Sequence, residues 1–84
     1  SFARAEIVTD ADARALTVPA DALVRFAGID KVLVVANGKT IEKRVTIGRI
    51  EAERVEILGG LADGDEVVLA PGNLTGGSAV RVAP

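Results

Sequence analysis

The chain has 84 residues, 10 Lys and Arg against 12 Asp and Glu, a net charge of −2, and no Cys, His, Met, Trp or Tyr. A near-neutral chain of this length makes one domain and lacks the basic field that nucleic acid or an anionic bilayer requires. Without thiol or imidazole it also lacks disulfides, thiolate metal ligands and His or Cys catalysis.

The core must come from 12 Val, 6 Ile, 7 Leu and 14 Ala, since Phe2 and Phe26 are the two aromatics. Such residues suit pleated, half-buried strands. A domain this small removes only about 60% of its unfolded surface from water, so its stability is modest. No apolar run approaches the ~20 residues needed to cross a bilayer, and SFARAEIV has no basic segment followed by an apolar one. A start directly in a strand-like pattern, without Met, reads as a piece of a longer protein. The absence of Cys is compatible with export.

In chain order, Phe2 to Ile7 alternates imperfectly and predicts a strand that ends at the polar turn Thr9-Asp10-Ala11-Asp12. Ala15 to Val18 predicts a second strand, stopped by Pro19, whose ring removes the amide donor. Pro19 then suits the first position of a helical turn over residues 19–24, which Gly28 limits to one or two turns. Val32-Leu33-Val34-Val35 reads as a strand buried on both faces, and Asn37-Gly38 as a two-residue hairpin turn.

From Lys39 to about Ile50 a single long strand is expected, with Ile41, Lys43, Val45 and Ile47 on one face and Glu42, Arg44 and Thr46 on the other. A polar turn, Glu51-Ala52-Glu53, precedes a strand from Arg54 to Leu58 with Val55 and Ile57 inward. Gly59 to Asp65 reads as a compact turn whose Leu61 plugs the core, Glu66 to Ala70 as a strand, and Ala79 to Val82 as the last one. These elements predict an all-β fold: a small antiparallel β-barrel or roll of about seven short strands with one helical turn near residues 19–24.

No motif carries chemistry. Gly38-Lys39-Thr40 has the end of a phosphate-binding loop, but Leu33 holds the place of its first glycine and a strand follows, so a hairpin with an exposed lysine fits better. Asp10 and Asp12, and Asp63, Asp65 and Glu66, lack the further oxygen ligands of a Ca²⁺ loop and read as turn-capping residues. Glu51 and Glu53 read as solvated charges, and Ser78 has no general base nearby in sequence. The residues therefore indicate no catalytic group, no cofactor site and no metal site. Phe26, in a glycine-containing segment after the helical turn, reads first as a core plug and second as an exposed anchor beside Arg25, aromatics and Arg being enriched at protein interfaces.

Five segments in order, Leu16 to Val24, Val32 to Val35 with Asn-Gly, Val45 to Gly48, Val55 to Leu61 and Gly64 to Val68, resemble the C-terminal region of periplasmic adaptor proteins. These are the membrane fusion proteins of the HlyD-like family that serve resistance-nodulation-division (RND) efflux pumps. The resemblance implies that residues 1–9 are the last strand of a preceding β-barrel domain and residues 10–84 a membrane-proximal β-domain. It implies a non-catalytic role in the periplasm of a Gram-negative bacterium, attached to the inner membrane through other parts of the protein and docked on an RND-type transporter. Multidrug export would then run through a ring of three or six adaptor protomers, with an outer-membrane channel reached by absent domains. Candidate partner contacts are Arg25, Phe26, Asn73, Leu74 and Thr75. A small-molecule or metal-ion binding β-module, or an accessory β-domain of an enzyme, is the alternative reading.

Overall fold

A computed structural model describes residues 2–8, 16–72 and 74–82. Among them run nine strands and one 3-10 turn: β1 (Phe2–Ile7), β2 (Leu16–Pro19), the 3-10 turn Ala20–Ala22, β3 (Val24–Phe26), β4 (Ile29–Ala36), β5 (Lys39–Arg44), β6 (Thr46–Glu51), β7 (Arg54–Gly59), β8 (Glu66–Leu69) and β9 (Arg81–Val82). The expected all-β fold is therefore present. The polar turn at residues 9–12, with Asp10 and Asp12, lies outside the described residues.

Two sheets form. One has six strands in the order β3-β4-β8-β1-β9, with β5 on the other side of β4, and the second has three in the order β2-β7-β6. All pairings are antiparallel except β1 with β9, which is parallel. The first sheet curls until its last segment meets β5 at a single bridge, Lys39 to Ala79. The sheets stay open rather than closing as a barrel.

Nine strands replace the expected seven for two reasons. The first is that residues 39–51 are two strands in different sheets. The chain changes sheet at Val45, whose N–H donates to the Asp30 carbonyl at 3.0 Å, and Thr46 then pairs with Gly59. The expected facing holds for Val45 and Ile47, which pack against the core, and breaks at the start of β5, where Ile41 is 44% exposed and Thr40, on the face of Glu42, is 1% exposed. The second reason is that the helical turn stops at Ala22, so Val24 to Phe26 is free to pair with Ile29 to Lys31. A hairpin stands where the sequence suggests a loop. Its tip, Ala27 and Gly28, has φ of 53° and 79°, close to the 53° and 75° of the expected Asn37-Gly38 turn.

Alternation along β4 explains the core. Val32 and Val34 face the three-stranded sheet and join Val18, Val55, Ile57 and Val67, with Val8 and Ala22, in the main cluster between the sheets. Val55 and Ile57 point inward as expected, and Leu61 packs against the same cluster. Each fully buried valine contributes about 1.5–3 kcal/mol relative to exposure. Leu33 and Val35 point to the opposite, outer face, where Leu33, Ala3 and Val68 form a much smaller cluster capped by Leu74. The β4 run is thus buried on both faces, unequally.

Polar ties hold the sheets together at their rim. The Arg54 guanidinium donates to both Glu6 carboxylate oxygens, at 2.9 and 3.3 Å, and to Thr17. The 3-10 turn connects the sheets as well: the Ala20 N–H donates to the Glu53 carbonyl and the Ala70 N–H to that of Asp21.

Candidate partner-contact cleft

The missed hairpin builds the most distinctive surface feature. Val24 pairs with Lys31 and Phe26 with Ile29, so Val24, Phe26, Lys31 and Leu33 lie on the outer face of the large sheet. Leu74 and Thr75 arrive over that face from the segment after β8. Together with Val32 and Glu42 these residues line a cleft of about 170 Å³. Phe26 stands at its edge with 72% of its surface in water. That overturns the core-plug reading: a three-residue strand at the sheet margin has nothing packed over its last side chain.

Charge around the cleft is paired. Lys31 Nζ lies 3.3 Å from Glu42 Oε1 at the rim. Arg25 faces Asp30 across the hairpin, with Nε 2.7 Å from Oδ1. The hydrogen bond that Arg25 donates to the Asp30 carboxylate, reinforced by its negative charge, raises the Arg25 pKa above the usual arginine value. Its charge is thus partly neutralised within the hairpin, which removes the long-range pull an isolated arginine would exert on an acidic partner. Strand alternation also sends Arg25 to the face opposite Phe26.

Of the five expected contact residues, the fold brings Phe26, Leu74 and Thr75 to one cleft and turns Arg25 away, and Asn73 lies outside the described residues. Sequence reasoning missed Val24 and Lys31, whose meeting depends on a strand pairing that Ala27-Gly28 does not announce, and Glu42, which the β4–β5 pairing sets opposite Leu33. Leu74 is also a wall of a second, wider cleft of about 490 Å³, bounded by Phe2, Ala3, Arg4, Val68 and Pro71. Phe2 is 71% exposed, and the Arg81 guanidinium lies 5.8 Å from its ring centroid.

Glu51, Glu53, Asp63, Asp65 and Glu66 line neither cleft. Asp65 accepts from the Ala62 N–H at 3.0 Å, the turn-capping role expected of it. Glu51 is 70% exposed and bound to Arg49, a solvated charge as expected. Among the described residues no three Asp, Glu, His or Cys side chains converge as metal ligands would. The smaller cleft offers apolar surface edged by the Lys31–Glu42 pair, a surface suited to a protein side chain.

No helix among the described residues is long and apolar enough to cross a membrane. No curated protein matches the chain. Residues 15–82 match the family described as YknX, C-terminal permuted SH3-like domain. The open two-sheet β-fold agrees with that description, and the match covers most of the chain. The protein therefore belongs to the YknX C-terminal permuted SH3-like domain family, a non-enzymatic domain of membrane fusion, or adaptor, proteins.

Proposed function

We propose that this domain docks its adaptor onto an inner-membrane transporter, and that the cleft between the β3–β4 hairpin and Leu74-Thr75 is the contact. The observation that carries this reading is Phe26. A large aromatic held 72% in water beside a cleft of Val24, Leu33 and Leu74 is a disposition that apolar partner burial would reward. The surrounding ion pairs are internal, so specificity would rest on shape more than on charge.

The wider assignment follows the sequence resemblance: an RND-type transporter, an envelope location in the periplasm, a ring of three or six protomers, and export of drugs or other small molecules toward an outer-membrane channel. Residues 1–9 are assigned to a preceding β-barrel domain and 10–84 to the docking domain. The pairing of β1 with β8 and β9 is how such a junction would be held rigid.

Pull-down of the neighbouring transporter by the full-length adaptor tests the reading. Phe26→Ala is expected to weaken capture about tenfold or more, as loss of an interface anchor does. Arg25→Glu, on the other face, is expected to weaken it less. Undiminished capture and efflux by the Phe26→Ala adaptor would remove this cleft from the interface.

A further inference from the structure

One buried hydroxyl on the outer face is unexplained by packing. Thr40 is 1% exposed, the sole buried polar residue among those described, and it sits where an apolar side chain of the same shape would fit. Every hydrogen-bonding group it has is engaged by residues 75–78. Its N–H donates to the Ser78 carbonyl at 2.8 Å, and its carbonyl accepts from the Gly77 N–H at 2.7 Å. Its Oγ1 donates to the Thr75 carbonyl and accepts from the Ser78 N–H at 3.0 Å. The next tie along, Val80 N–H to the Gly38 carbonyl at 2.8 Å, involves backbone only.

The same segment lies close against β5. A methyl group placed on Gly76 would come within 3.1 Å of Glu42 Cγ, and Gly77 takes a φ of 84° to make the turn. Glu42 in turn is the partner of Lys31 at the cleft rim. Leu74 caps the outer cluster of Ala3, Leu33 and Val68, and apolar contact holds its side chain but not the carbonyl of the residue after it. Apart from the Leu74 N–H to Pro71 carbonyl bond at 3.0 Å, the polar bonds that fix the path of the strap converge on Thr40.

We infer that Thr40 is a positioning residue: its side-chain hydroxyl clamps the 74–78 strap over the outer face, and by doing so sets Leu74 and Thr75 as the wall of the cleft opposite Phe26. A hydroxyl is required because the strap turns the Thr75 carbonyl and the Ser78 N–H onto the same atom, with the Ser78 carbonyl a longer 3.4 Å away, and a methyl group there leaves the first two without that partner. The inference rests on the docking reading for its functional half, whereas the clamp itself does not.

The test compares Thr40→Val with Thr40→Ser in the full-length adaptor, by peptide-resolved hydrogen exchange and by transporter capture. Thr40→Val is expected to speed exchange across residues 74–80 about tenfold or more while β6 and β7 keep their protection. Capture should fall as far as in Phe26→Ala, and Thr40→Ser, which retains the hydroxyl, should restore both. Unchanged exchange in 74–80 for Thr40→Val overturns the clamp, as does an equal rise over the whole domain. Faster exchange in the strap with full capture supports the clamp and overturns the docking role of the cleft.

Discussion

The two faces of the six-stranded sheet are built on different physics. On the inner face, Val32, Val34 and Val67 meet Val18, Val55 and Ile57 of the second sheet in a continuous buried cluster. On the outer face, Leu33 and Val68 are covered by little more than Leu74, and the strap that carries Leu74 is secured through the polar groups of Thr40. The inner face holds the fold by area removed from water; the outer face holds a shape by a few directed bonds. Packing of the first kind resists single changes by its extent, and an arrangement of the second kind can be undone by one atom. A surface that must meet a partner is expected to lie on the second kind of face, where less stability is at stake.

Substitutions that bear on this division fall in a clear order. Ile57→Ala, in the inner cluster, is expected to lower stability by about 3 kcal/mol through lost burial and the cavity left behind, measured by denaturant unfolding of the full-length protein. For a small domain with roughly 5 kcal/mol in hand that is most of its stability. Leu74→Ala, half-buried on the outer face, is expected to cost about 1 kcal/mol. Equal losses for the two would erase the distinction between the faces.

At the hairpin tips the comparison becomes finer. Ala27 and Asn37 both have φ of 53°, a left-handed conformation that Asn tolerates better than Ala. Ala27→Asn is expected to stabilise the β3–β4 hairpin by about 0.5 kcal/mol, seen as a small rise in Tm, and a fall in Tm would mean that the turn differs from its neighbour. Glu6→Gln, at the exposed Arg54 pair, is expected to change stability by about 0.5 kcal/mol or less.

The same contrast explains what could be read from the residues. Val32 to Val35 and the alternation at Val55 and Ile57 were legible because apolar burial leaves a periodic trace. Asn37-Gly38 was legible because that dipeptide favours positive φ. The change of sheet at Val45 was not, since the period of two runs on through Ile47 while the chain turns on a backbone bond to Asp30. Nor was β3, a three-residue strand behind an Ala-Gly turn. The cleft was half legible: Phe26, Leu74 and Thr75 were singled out separately, but that they meet follows from a pairing of β3 and from Thr40. A threonine buried by a segment more than 30 residues away has no local signature.

In the proposed docking role Phe26 serves a partner and not the fold. The direct measurement is transporter affinity of the full-length Phe26→Ala adaptor beside its unfolding midpoint. Affinity should fall about tenfold or more while the midpoint stays where it was. Retained affinity, or a loss of affinity matched by a loss of stability, would contradict it.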